Sequence, residues 1–257
     1  MVRAYGNPSH PEILLIHGLS QSRLSWDRQL DALSATFRVV TFDLRGHGDS
    51  DKPGSPDAYD KAALWADDVR AVMNVANLRK PVLVGWSLGG LIIGHYLMRY
   101  GVDHIAGVNL VNAVTKLSPD LLGPASLEYA SALASPDLGV RSAAIVNFLE
   151  ACFATAPPEA EFRRMLAYNG MVPRALQEGV VKLSGRGLDE AFGKPQHLLI
   201  TYGAQDRLTR REMSERVSTL NPGAKLSIYP DAGHAPFFEN AARFNTELAA
   251  FVVSAAG

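Results

Sequence analysis

The chain is nearly devoid of cysteine. Among its 257 residues only Cys152 carries a thiol, so an internal disulfide is excluded. Cys152 lies in Phe148-Leu149-Glu150-Ala151-Cys152-Phe153, where it reads as a small buried hydrophobe and not as a reactive thiol. An excess of one charge is also lacking. The 25 Lys and Arg against 26 Asp and Glu leave a net charge of −1, with no footprint for nucleic acid or an anionic membrane. No apolar run approaches the roughly 18 residues needed to cross a bilayer. The first eight residues, Met1-Val2-Arg3-Ala4-Tyr5-Gly6-Asn7-Pro8, have neither the apolar segment nor the cleavage site of a secretory leader, and a cytoplasmic protein is expected. No His, Cys and Asp cluster has metal-ligand spacing, so no metal is expected; the chemistry read from the motifs below needs no organic cofactor either. There is no internal repeat and no low-complexity tract. The 47% hydrophobic and 20% charged composition is that of a globular protein able to bury a large core.

What is present is an alternation of short apolar runs with longer helical stretches, the pattern of a mostly parallel sheet with helices on both faces. Strands are predicted over Glu12–Ile16, Phe37–Phe42, Pro81–Val84, Ile105–Val111, Gln196–Tyr202 and Lys225–Tyr229. Most are rich in Val, Ile and Leu without polar alternation, as strands covered on both faces require. Helices are predicted over Trp26–Ser34, Tyr59–Ala76, Leu88–Tyr100, Arg210–Thr219 and Ala241–Ser254. The alternation breaks between residues 114 and 193. There, proline-punctuated helices over Pro119–Ala134, Asp137–Ala154, Pro158–Tyr168 and Pro173–Ser184 occur with no strand between them. This stretch reads as a helical cap over the carboxyl ends of the strands, where open α/β sheets bind ligands. The expected organisation is therefore core (1–113), cap (114–193) and core again (194–257).

The most informative motif is Gly85-Trp86-Ser87-Leu88-Gly89, between the apolar run Pro81–Val84 and the helical Gly90–Leu97. Strand, sharp turn and helix in that order place a serine hydroxyl above the strand ends, beside the first free amides of a helix. A side chain at Gly85 or Gly89 would collide with neighbouring backbone in so tight a bend. A serine hydroxyl is a poor nucleophile without a base. His234 follows the last predicted strand and so shares the sheet edge expected for Ser87, whereas His10, His47, His95, His104 and His197 have weaker placements. The base needs a carboxylate to hold its tautomer. Asp206, just past the strand over residues 196–202, fits that role. Asp231, three residues before His234, reads as a turn former. Two backbone amides are expected to stabilise the oxyanion, those of Leu88 and of Leu19 in the loop His17-Gly18-Leu19-Ser20. Trp86 is a candidate substrate-binding residue. Leu122, Phe148, Phe153, Met165 and Leu166 are candidate pocket walls, and Trp26 reads as core.

Taken in order, His17-Gly18, Asp43-Leu44-Arg45-Gly46-His47-Gly48-Asp49-Ser50, Gly85–Gly90, Gly203-Ala204-Gln205-Asp206 and Gly233-His234-Ala235-Pro236-Phe237 resemble the α/β-hydrolase fold family. Within it the chain is most similar to small bacterial serine esterases related to the non-haem chloroperoxidases. The resemblance implies Ser87 as nucleophile, Asp206 as acid, His234 as base, Leu19 and Leu88 at the oxyanion positions, and structural roles for His17 and the Arg45–Ser50 loop. It implies a small ester as substrate, with lactone or enol-lactone hydrolysis, C–C bond hydrolysis and perhydrolysis as alternatives on the same residues. A non-catalytic ligand-binding protein on this fold is the remote alternative. Ser87 argues against epoxide hydrolases and haloalkane dehalogenases, which carry aspartate there. Ser20 stands where relatives with perhydrolase activity often have proline. Some relatives carry the acid one strand earlier, where this chain has Asn112. With only about a dozen residues before the first parallel strand, the family's outermost strand is expected to be missing or reduced.

Overall fold

A computed structural model describes residues Met1–Gly257. Its centre is a seven-stranded sheet in the order β1-β3-β2-β4-β5-β6-β7. The strands are β1 (Val2–Tyr5), β2 (Glu12–Ile16), β3 (Arg38–Phe42), β4 (Val82–Trp86), β5 (Gly107–Val111), β6 (Leu198–Gly203) and β7 (Lys225–Tyr229). All neighbours are parallel except β1, which runs antiparallel to β3 at one edge. The amino-terminal edge strand is thus short, only four residues long. Val2-Arg3-Ala4-Tyr5 has no apolar run to announce it, because three of its four residues are exposed at the edge.

The absence of polar alternation in the inner strands has a direct cause. Leu14, Ile16, Leu83 and Leu110 face one buried cluster, while Ile13, Leu15, Val82 and Val84 face another. Helices α2 (Ala62–Val75) and α3 (Leu88–Tyr100) cover the first face; α1 (Asp27–Leu33) and the last helix, Ala241–Ala256, contribute to the second. Both faces are dry, so both must be apolar. Boundaries shift by a few residues: β4 continues through Gly85 and Trp86, and α2 starts at Ala62 because residues 56–58 form a separate tight turn.

Between β5 and β6 the chain forms α4 (Pro124–Leu133), α5 (Leu138–Ala151), α6 (Glu159–Gly170), α7 (Arg174–Val180) and α8 (Leu188–Phe192). These do not behave as one unit. Leu188 and Phe192 pack directly on α3, where a Cβ at Gly94 would lie 2.7 Å from Phe192. Phe148 and Met165 belong to the cluster on the opposite face of the sheet. After β6 come α9 (Arg211–Leu220), the short α10 (Pro236–Glu239) and α11 (Ala241–Ala256). No helix is long and apolar enough to cross a membrane.

Parallel register brings the decisive loops to one edge. Ile16 pairs with Gly85, Val111 with Thr201 and Gly203 with Tyr229. The loops after β2, β4, β5, β6 and β7 therefore emerge side by side. The chain leaves β2 towards β3 and returns to β4 on the other side of β2, creating the switch point at which such sheets form a crevice.

Candidate active site

Ser87 sits at the crevice between β4 and α3 with φ 54° and ψ −117°. A non-glycine residue in this region is strained by about 1–3 kcal/mol and persists only where its surroundings hold it. Those surroundings are evident. The Ser87 amide donates to Val111 O (3.1 Å), and Ser87 O accepts from Gly90 and Val114 (3.0 Å each). A Cβ at Gly89 would lie 2.4 Å from Ile16 O, and one at Gly85 would lie 2.7 Å from Gly89 C. Only glycine permits this approach. Of the four non-glycine residues with positive φ, Ser20, Ser87 and Asn112 all lie on loops at this edge; Asn77 is the fourth.

The loop after β2 lies against Ser87, since a Cβ on Gly18 would be 3.0 Å from the Ser87 Cβ. Neither the Leu19 nor the Leu88 amide donates to an acceptor within the protein. Two histidines shape this loop. His17 Nδ1 donates to Gly18 O (2.8 Å) while Nε2 accepts from Leu44 N (3.0 Å). His47 Nδ1 donates to Arg45 O (2.9 Å) while Nε2 accepts from Ser20 N (3.0 Å). Each ring uses one donor and one acceptor, so both are neutral. Burial lowers His17 to about 4; burial and then the repulsion that a second proton on the adjacent His17 would add lower His47 to about 3.

This has a consequence for stability. The unfolded chain takes up protons at the ordinary histidine value of 6.5, whereas the folded chain resists until about 4 and 3. Within that window the unfolded state binds more protons, so stability falls as pH falls, by roughly 1.4 kcal/mol per pH unit for each ring. Urea midpoints should decline steadily from pH 6.5 to about 4.5, and His47→Gln should shallow the slope. An unchanged slope in that variant would count against a neutral His47.

Asp206 and His234 meet at full burial. His234 Nδ1 lies 2.8 Å from Asp206 Oδ2, with side-chain exposures of 1% and 0%. The carboxylate is saturated with donors. Oδ1 accepts from Leu208 N (2.7 Å) and Thr209 N (3.1 Å); Oδ2 also accepts from Asn112 Nδ2 (2.7 Å) and the Thr209 hydroxyl. Burial alone would push this carboxyl up, but His234 and the hydrogen bonds from His234, Thr209 and Asn112 hold it below the usual range. The ionised carboxylate fixes the proton on Nδ1, leaving a lone pair on Nε2, which is buried without a hydrogen-bond partner.

A cavity of about 120 Å³ opens at Ser87, lined by 16 residues of which 12 are hydrophobic. Leu19 and Leu88 line it, as do Leu122 and Phe148 among the expected walls. Phe153, Met165 and Leu166 do not: the first two are buried in the cluster beside the crevice, and Leu166 packs on that cluster. Trp86 requires a correction as well. It does not line the cavity, because its side chain follows the pleat of β4 to the face opposite α3. There its indole donates to His234 O (2.8 Å) and its ring packs edge-on against Trp26 and Phe237. Two contributors have no part in the sequence-based expectations. Thr209 had a local signal, since an Asp with amides two and three residues on forms an Asx-type turn. Gln177, a cavity residue whose amide donates to Ser20 Oγ (2.8 Å), had none. Asn112, at the place where some relatives carry the acid, instead donates to Asp206.

Comparison with known proteins agrees with this frame. Residues 11–241 match the family described as alpha/beta hydrolase fold. The chain belongs to that family. A bifunctional esterase/perhydrolase of Acinetobacter calcoaceticus is 30% identical to this α/β hydrolase over 273 residues, spanning 97% of the chain and 94% of that relative. A pimeloyl-[acyl-carrier protein] methyl ester esterase of Neisseria meningitidis is 30% identical over 250 residues, spanning 91% and 89%. Among solved structures, a Burkholderia cenocepacia protein thought to be an aryl esterase matches with TM-score 0.94 and 38% identity, covering 99% of this chain and 94% of its own. An esterase from Rhodococcus sp. matches with TM-score 0.90 and 30% identity, covering 98% and 94%.

Proposed function

We propose that this α/β hydrolase is a serine esterase that cleaves small carboxylic esters through an acyl-enzyme. The observation that carries the reading is the buried Asp206–His234 pair with an unpartnered Nε2, at the same sheet edge as the strained Ser87. The esterases among its relatives support the reaction class.

In the first step His234 Nε2 takes the Ser87 proton as Oγ attacks the ester carbonyl. Negative charge develops on the carbonyl oxygen, and the free amides of Leu19 and Leu88 receive it. Preorganised donors of this kind contribute on the order of 3 kcal/mol each. The imidazolium then protonates the leaving alkoxide. Water, deprotonated by the same imidazole, attacks the acyl-Ser87 carbonyl, and collapse of the second tetrahedral intermediate returns Ser87 and the free acid. Asp206 remains ionised throughout and stabilises the imidazolium.

Within residues 114–193 the part up to α7 acts as the cap in this reading, since Leu122, Leu133, Phe148 and Val180 roof the cavity over Ser87, while α8 packs on α3. An engineered apolar cavity of about 150 Å³ holds one benzene, so a 120 Å³ cavity accepts one small ring or a short acyl chain. Leu117 and Val181, partly exposed at its mouth, give the other half of the ester a way out. For p-nitrophenyl esters, kcat/KM should rise about fourfold per methylene while the acyl chain fills the cavity, at about 0.8 kcal/mol per buried group. It should then fall beyond roughly six carbons, once the cavity volume is used up. A rate that is flat, or still climbing at twelve carbons, would refute the size assignment.

A further inference from the structure

We infer that Glu239 is a positioning residue for the catalytic base: its carboxylate clamps the His234 loop to the segment that follows α5, and so sets the imidazole in place. The inference rests on reading His234 as that base. Glu239 Oε2 accepts from Gly233 N (2.7 Å), the peptide immediately before His234. Its Oε1 accepts from Ala154 N (2.7 Å) and Thr155 N (3.1 Å). One side chain therefore joins two stretches that are about 80 residues apart in sequence.

The same two stretches touch directly. His234 N donates to Cys152 O (3.0 Å), and a Cβ on Gly233 would lie 2.7 Å from Ala154 N. Residues 152–155 thus form a backing wall for the His234 backbone, and Glu239 ties off its end. Trp86 braces the same residue by donating to His234 O. Glu239 is itself fixed, because it closes the single turn of α10, whose Phe237 ring packs on Trp26 and Trp86. A second tie runs from the neighbouring residue. Arg28 lies 3.8 Å over the Phe238 ring, donates to Phe238 O (2.7 Å) and pairs with Glu161 of α6 (3.0 Å).

The chemistry of this clamp selects a carboxylate. Three backbone N–H groups converge on it and no donor is required in return. An ionised carboxylate is purely an acceptor, and charge-assisted bonds of this type are the strong ones. Glutamine has the same size but only one acceptor oxygen, and would set its NH₂ against an N–H donor on one side. The His234 loop would then be free to drift from the 152–155 wall. Displacements near 1 Å at a catalytic group cost about 100-fold in rate.

The test compares Glu239→Gln and Glu239→Asp with the native enzyme, using turnover per active serine as counted by fluorophosphonate titration. Glu239→Gln should lose about 10- to 100-fold in kcat with KM changed less than about twofold. Glu239→Asp, which keeps two acceptors on a shorter arm, should fall between them, and it provides the same reading if the glutamine variant does not fold. The His234 Nδ1 proton should exchange faster with solvent in both. A residue that only supports folding would lower the melting temperature and the titratable fraction, leaving kcat per titrated serine and the ring-proton exchange intact; that outcome overturns the inference. Ser87→Ala separates the two readings. If it abolishes labelling while Glu239→Gln turns over at the native rate, only the clamp fails. If Ser87→Ala still turns over, the serine mechanism fails along with the premise of the clamp.

Discussion

Ser87→Ala should abolish acyl transfer while leaving the fold intact. Removal of a triad nucleophile costs about 10⁶-fold in kcat in a comparable serine hydrolase, with a residual rate from the remaining site. The residual here would come from the free Leu19 and Leu88 amides and from substrate binding, neither of which depends on the hydroxyl. Alanine keeps the Cβ and therefore the strain of φ 54°, so the melting temperature should hardly move. Ser87→Gly should be equally inactive but more stable, since glycine relieves a strain of about 1–3 kcal/mol. For a chain of this size each kcal/mol is worth roughly 2–4 °C. Burst kinetics with p-nitrophenyl acetate and fluorophosphonate labelling check the first expectation, and thermal unfolding checks the second. Turnover in either variant within tenfold of native would remove Ser87 from the chemistry.

Asp206→Asn should lower kcat by about 10⁴-fold, as the corresponding change does in a related triad by forcing the wrong imidazole tautomer. The surroundings of Asp206 make the cause specific. Oδ2 receives the Asn112 amide, the Thr209 hydroxyl and His234 Nδ1, while Oδ1 receives two backbone amides. An asparagine NH₂ has to face donors whichever way it turns. With its oxygen towards the two amides, its NH₂ meets Nδ1, which must then become the acceptor. The proton moves to Nε2, and the base is lost. Kinetics at saturating ester, with ¹⁵N chemical shifts of the ring to identify the tautomer, test this. A loss below about 100-fold would mean that the imidazole is held by other groups, and the Asp206 assignment would fall.

Much of this architecture is legible in the sequence, for reasons that are local. Runs such as Ile13-Leu14-Leu15-Ile16 and Val82-Leu83-Val84 are apolar throughout because each successive side chain enters one or the other of two dry clusters. A strand edge exposed to water carries no such mark, and β1 leaves almost no trace. The glycines around Ser87 are readable because in so tight a bend a Cβ at position 89 would lie 2.4 Å from the Ile16 carbonyl oxygen. Since Asp206 and His234 each follow a parallel strand, chain order alone brings them to the edge that carries Ser87.

Other features belong to the tertiary structure alone. Trp86 looks like a pocket residue beside the serine, yet the pleat of β4 turns it to the opposite face, where it braces His234. Phe148 of α5 reaches the cavity while Phe153, in the segment just past the end of that helix, packs away from it. Which side of a cap helix faces substrate depends on how several helices pack, and periodicity within one helix does not contain that information. The contacts of Asn112, Gln177 and Glu239 span 94, 157 and 85 residues of chain. By itself the sequence determined the fold and the edge of the sheet at which Ser87, Asp206 and His234 emerge, because strand burial and tight bends are dictated by neighbours along the chain. The shape of the cavity and the bracing of the imidazole were decided only when distant segments packed together, since the hydrogen bonds and apolar contacts that set them have no partner nearby in sequence.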